Sequence, residues 1–369
     1  MDVGGYANSW KQGNIMTTID TITSTFVSKF DLPIHYNSTE DFHGFLFDKL
    51  DEFNNFIVDS VNDVPSECAD LQKVTKCQDA IQLIIENIKK AFDEYYNGRP
   101  DLAYSIFEKV LVELSSLETL PERSFHREGF YRIRIGEDIT TRKDIFHIPF
   151  SRRTLVAPQR YSIAGFPCLY LANSIYVAWE EFHRPSLDTL NFTKLQFSNP
   201  VNFINFSPLD FRDSLYSSSD LLAFFQKMLL YPVLLICSVK VAKPDNPFKP
   251  EYIFSQFTLR WCKEKDNYNG VMYGSTRVNP NSKGRFYNFA IPVSDYQINT
   301  DFCPELTQKI KLTNPFSLKG VDNETVMNNI NEDIIDIFSK ELHKIIPFNQ
   351  SIFALIESFL QNQELRRLS

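Results

Sequence analysis

Residues 160–182 read RYSIAGFPCLYLANSIYVAWEEF, and this stretch decides the architecture. Gly165-Phe166-Pro167 is a turn signal, because glycine and proline punctuate regular structure. The apolar run Pro167 to Ala172 (PCLYLA) has the length and content of a buried strand. A helical segment at about 174–184 follows, with Val177, Ala178 and Phe182 apolar and two acids, Glu180 and Glu181, beside them. Glu181 is the acid expected to face the strand and Glu180 the solvent-facing alternative.

Working outward, Gly129 to Ile135 (GFYRIRI) alternates apolar and basic residues, as a half-buried strand does. Phe192 to Phe197, Tyr231 to Val239 and Phe286 to Pro292 are further strand candidates, and a short strand precedes Ser275. Helical segments are expected at about 213–228 and 251–264. Strands and helices mixed without a strict βαβ rhythm indicate an α+β fold.

Before this part, residues 1–37 read as irregular and 38–120 as helical. Ser38-Thr39-Glu40-Asp41 is a capping-box start, followed by Phe42, Leu46, Leu50, Phe53 and Ile57 at helical spacing. A second helix carries Ile81, Ile84, Ile88, Phe92 and Tyr95 on one face and stops at Asn97-Gly98 before Pro100. A third runs from Asp101 through Leu117. Short connections make an antiparallel three-helix unit. The C-terminal residues return to helix near 324–345 and 349–366.

The chain has 369 residues, 43% hydrophobic and 23% charged, enough apolar content for a packed core. Its formal net charge is -8, which argues against wrapping nucleic acid or anchoring on an acidic membrane. The longest apolar run, Met228 to Val239, is too short to span a bilayer. The first forty residues show no secretory pattern, and six cysteines without C-x-x-C spacing read as reduced thiols. A cytoplasmic protein is expected. P-loop, dinucleotide-binding glycine and G-x-S-x-G patterns are absent, and no histidine pair has metal-ligand spacing.

Charge placement is more informative. Between Arg123 and Arg160 there are nine basic residues and four acids. A local arginine surplus in an acidic chain suggests an anionic ligand, and the planar guanidinium fork suits a pyrophosphate.

The motifs around this region resemble the RES domain, a family of NAD-destroying toxins. They are Tyr131-Arg132, the run Arg160 to Ala172 with its Gly-x-Pro-x-Leu-Tyr-Leu-Ala core, Ala178-x-x-Glu181, and Gly270-Val271-Met272-Tyr273-Gly274-Ser275. The resemblance covers about 123–295. It departs from the usual pattern at Tyr161-Ser162, where many members carry Trp-Asn, and in a long loop between Arg132 and Arg160.

The resemblance implies a strongly bent, split β-sheet like that of ADP-ribosyltransferases, with NAD in the cleft as substrate. It implies Glu181, Arg132 and Ser275 as catalytic residues and Arg160, Tyr170 and Arg134 as nucleotide-binding ones, Arg134 competing with Arg132 for the first arginine role. No metal and no resident cofactor is implied; inorganic phosphate is a possible co-substrate. The expected activity is cleavage of the nicotinamide–ribose bond, by hydrolysis or phosphorolysis, in a toxin or defence effector. ADP-ribose transfer to a macromolecule and a non-catalytic interaction protein are the alternatives. Expected partners are NAD and a cognate antitoxin or inhibitor protein, with a homodimer possible and no nucleic acid or membrane. The expected organisation is an irregular segment (1–37), a helical, structural or regulatory domain (38–120), a NAD-cleaving domain (123–295) and a helical C-terminal extension (296–369).

Overall fold

The structure, a computed structural model, describes residues 18–37, 41–279, 282–294, 296, 299–319, 336–339 and 344–368. In chain order the helices are α1 (18–29), α2 (Phe42–Asn62), α3 (Leu71–Tyr96), α4 (Pro100–Ser116), α5 (Arg142–Ile145), α6 (Ile175–Glu181), α7 (Pro208–Tyr216), α8 (Leu221–Met228), α9 (Tyr231–Cys237), α10 (Ile253–Lys263), α11 (Pro304–Lys309) and α12 (Ile352–Gln361). The strands are β1 (Glu122–Phe125), β2 (Phe130–Ile135), β3 (Cys168–Ala172), β4 (Leu190–Phe197), β5 (Val201–Phe206), β6 (Gly270–Gly274), β7 (Tyr287–Pro292), β8 (Ile310–Leu312), β9 (Phe316–Ser317), β10 (Asp336–Ser339), β11 (Lys344–Pro347) and β12 (Arg366–Arg367).

These elements divide into two units. One joins the described residues up to Pro121 with Ser207–Trp261; the other joins Glu122–Phe206 with the residues from Cys262 onward. The helical unit is therefore wider than 38–120, because it takes α7 to α9 and most of α10. The sheet unit extends past 295 to the C-terminal elements. Residues 207–269 form the connection between β5 and β6, the one parallel pair in the large sheet. A parallel pair requires a long crossover, and here that crossover is a set of helices.

In the helical unit the expected helices α2 to α4 form, with Phe42, Leu46, Leu50, Phe53 and Ile57 buried. Residues 38–40 of the expected capping box lie outside the described residues; Asp41 is the cap, its carboxylate accepting from the Gly44 amide at 3.1 Å. Two expectations fail here. Within the described part of 1–37, residues 18–29 are not irregular, for α1 buries Ile19, Ile22 and Phe26, which recur at helical spacing; residues 30–37 are without helix or strand, as expected. The segment Tyr231 to Val239 is no strand, and its residues Tyr231–Cys237 form helix α9. All seven residues of α9 are buried, so no apolar-polar alternation could reveal its period, and Pro232 sits in the first turn, where a missing N–H costs nothing. Tyr231 packs on Phe26 and Phe53 at ring-centroid distances of 4.9 and 4.5 Å.

The sheet unit holds a curled half-barrel of order β1-β5-β6-β7-β3-β2-β4-β8-β12, with β9 on β4. Strand alternation gives each face its own core. Phe130, Leu169, Leu171, Phe203 and Phe289 gather on one face with Ile145 and Phe146. Tyr131, Ile133 and Phe192 gather on the other with α6 and α12. On the first face the fully buried His147 donates from Nδ1 to the Ile148 carbonyl and accepts the Cys303 amide at Nε2. Burial holds it at about 4, below the usual imidazole range. The expected helix at 324–345 is not seen where the chain is described. Asp336–Ser339 and Lys344–Pro347 pair as antiparallel strands, and the rest of that range lies outside the described residues.

One feature of the sheet prepares the site. β2 pairs with β4 over its whole length, from Phe130↔Leu195 to Ile135↔Leu190, whereas with β3 it shares the single pair Tyr131↔Ala172. Beyond that pair the two strands part.

Candidate active site

The helix that follows β3 carries the central acid. Ser174 caps α6 by accepting the Val177 amide at 3.1 Å, as a serine before an apolar turn should. Glu180 and Glu181, the last two residues of α6, point in different directions. Glu180 is only 3% exposed and pairs with Arg184 one turn on, its Oε2 accepting from Nε at 2.6 Å. The expectation that Glu180 faces solvent is thus incorrect: the i, i+4 arginine makes burial of this acid tolerable.

Glu181 faces β6 and β7. Its Oε1 accepts the Ser275 hydroxyl at 2.7 Å and the Asn288 amide at 2.6 Å, and its Oε2 lies 3.3 Å from Arg277 Nε. Its side chain keeps 29% of its surface open. Ser275 is positioned by the β6–β7 ladder, its amide donating to the Phe286 carbonyl at 3.0 Å. Its Oγ also accepts the Arg277 amide at 3.2 Å. Arg277 Nη1 lies 3.1 Å from His183 Nδ1. His183 and Arg184 have φ of 61° and 60°, left-handed backbone that non-glycine residues seldom adopt, two and three residues after the acid.

The sheet register shows what shares this face. Tyr273 lies opposite Asn288, Asn288 opposite Ala172, and Tyr170 opposite Ala290, so Tyr273, Asn288 and Tyr170 project to the same side. Tyr161 lies on Tyr273 with ring centroids 4.5 Å apart. Tyr170 has a buried hydroxyl, and that burial raises its pKa well above the ordinary phenol range. Arg160 is 9% exposed, two residues before the Gln159↔Ser162 bridge closes.

The arginines of β2 are used differently from what bidentate phosphate binding requires. Arg132 follows the last β2–β3 pair, and its guanidinium spans the opening: Nε donates to the Ile145 carbonyl and Nη1 to the Tyr170 carbonyl, both at 2.7 Å. Burial, and Arg134 beside it, push its pKa down to about 10. Arg134 donates to the Asp144 carbonyl; burial and then Arg152 lower its pKa. The structure therefore brings Glu181 and Ser275 into direct contact, whereas the described hydrogen bonds of Arg132 and Arg134 go to backbone carbonyls. The arginine at the acid is Arg277.

Asn288 and Arg277 were not foreseen. Asn288 had a readable signal, a lone amide inside the apolar strand YNFAIP, since a buried polar group needs a partner. Arg277 had none beyond following Ser275. Among the described residues no group of His, Cys, Asp or Glu is arranged to hold a metal ion. Likewise no helix is long and apolar enough to cross a membrane.

The chain is 29% identical over 326 residues to a Bacillus subtilis (strain 168) protein named "Putative toxin YopC", a match covering 80% of this chain and 70% of that protein. No family model matches the chain, so the resemblance to the RES domain rests on its motif residues. No solved structure matches it either.

Proposed function

We propose that this protein is a growth-inhibiting toxin that consumes NAD by cleaving its nicotinamide–ribose bond, with water or inorganic phosphate as acceptor. The observation that carries this reading is the Glu181 carboxylate fixed by Ser275 and Asn288, with its side chain still partly open. The name of the Bacillus subtilis relative supports the toxin role.

Breaking a glycosidic C–N bond develops positive charge on the anomeric carbon, as in glycoside hydrolysis. Glu181 Oε1 is oriented by two donors, which leaves Oε2 to meet that charge or a ribose hydroxyl. Arg277, 3.3 Å from Oε2, turns from the acid toward the phosphates when NAD enters. Tyr170 and Tyr273 supply flat apolar walls for the nucleotide, and Arg160 supplies a second cation. The acceptor oxygen attacks the anomeric carbon, the C–N pair leaves with neutral nicotinamide, and the acceptor's proton passes to solvent.

The test is to incubate the full chain with NAD, with and without phosphate, and to follow nicotinamide. Wild type should release it and Glu181→Gln should not. NAD left intact by wild type under both conditions would overturn the proposal. Label from NAD transferred to a protein would replace hydrolysis by ADP-ribose transfer.

A further inference from the structure

Glu181 sits at the C-terminal end of a helix of only seven residues. So short a helix has little stability of its own, because nucleation is unfavourable and few hydrogen bonds repay it. Its direction must be set from outside, and the contacts that set it come from a part of the chain beyond the RES-like region. Helix α12 lays Phe353 against Tyr176 and Trp179, with ring centroids 5.4 and 5.1 Å apart. From the next turn of α12, Glu357 accepts the backbone amide of Ile175, the first residue of α6. Glu357 is 7% exposed and Ile175 fully buried, so water does not replace this bond if it is lost. A carboxylate at a helix N-terminus also meets the positive end of the helix dipole. Ser174 already serves the Val177 amide, so Glu357 and Ser174 together cap the first turn.

We propose that Glu357 is a positioning residue for Glu181: it anchors the N-terminal end of α6, so that the far end presents the carboxylate to Ser275 and Asn288. α6 spans roughly 10 Å at about 1.5 Å per residue, so a tilt at the anchored end moves Glu181 by a comparable fraction of that length. A shift of about 1 Å is enough to cost roughly a hundredfold in rate. Helix α12 is on this account part of the catalytic unit. The proposal rests on the NAD-cleaving reading of the site.

The experiment uses the full chain with Glu357→Gln, Glu357→Asp and Glu357→Ala, and reads kcat and KM for nicotinamide release together with hydrogen exchange of the amides of residues 175–182. Gln keeps an acceptor at the same reach and should stay within about threefold of wild type. Asp is one methylene short; Ala has no acceptor. Both should lower kcat by roughly tenfold or more, with KM for NAD changed far less, and speed exchange in α6. A variant of Asp or Ala with wild-type kcat and unaltered α6 exchange would overturn the proposal. So would a Gln variant as impaired as Asp, since a mere packing role predicts no rescue by the conservative change. Should Ala fail to fold, the Gln–Asp pair still decides. If wild-type protein releases no nicotinamide, the NAD reading fails, and the exchange data alone decide whether Glu357 anchors α6.

Discussion

Glu181 carries its reading because three side chains hold it, and only one of the three, Ser275, stands out in the sequence. Asn288 is the most informative of the others. It is 4% exposed in a strand whose neighbours pack into the core, and its amide ends on Glu181 Oε1 at 2.6 Å. Removing a hydrogen bond to a charged group costs about 1.5–3 kcal/mol. If that bond orients the reacting carboxylate, Asn288→Ala should slow nicotinamide release by roughly 10–150-fold. The measurement is kcat at saturating NAD; an unchanged kcat would separate Asn288 from the chemistry. The adjacent pair Glu180 and Glu181 shows where residue-level reading stops. Both follow Trp179, and only the position of Arg184 four residues on indicated which acid is buried. Arg132 teaches a similar lesson: an alternating strand shows that an arginine is present, but not that a parted strand leaves a carbonyl for it to satisfy.

At the scale of elements, the motif glycines turn out to be backbone requirements. Gly165 has φ of 75°, and a Cβ on Gly270 would lie 2.3 Å from the Ala290 carbonyl oxygen of the neighbouring strand. Gly270→Ala must push these strands apart five residues before Ser275, against Ala290, which is two residues along from Asn288. Overpacking of this kind costs about 1–3 kcal/mol. The expected outcome is a lower Tm together with a loss of nicotinamide release out of proportion to it, seen by thermal unfolding and by rate on the same sample. Strands with clear alternation or clean flanks, such as β2, β3 and β7, were legible from sequence. α9 was not, since a helix buried on every side has no polar face to mark its period. α1 was legible in principle, because Ile19, Ile22 and Phe26 keep helical spacing within a run of threonines and serines that reads as loop.

For the whole molecule, the division into two units could not be foreseen from composition, because each unit is assembled from separated stretches of chain. Residues up to Pro121 share a core with Ser207–Trp261. Removing 1–120 takes away the helices against which α8 and α9 bury Phe224, Tyr231 and Leu234. The truncated chain should therefore be insoluble rather than a free-standing enzyme; sedimentation of the expressed fragment checks this, and a soluble monomer would refute it. The same interleaving places Glu181 94 residues ahead of Ser275 and 107 ahead of Asn288. At roughly 5–20 residues per second of synthesis, the acid leaves the ribosome on the order of 5–20 s before the groups that orient it. The anchor at Glu357 follows later still. A nascent chain thus carries its acid with an unassembled pocket, and on the NAD-cleaving proposal a cell translating this message meets a competent site only after most of the polypeptide has been made.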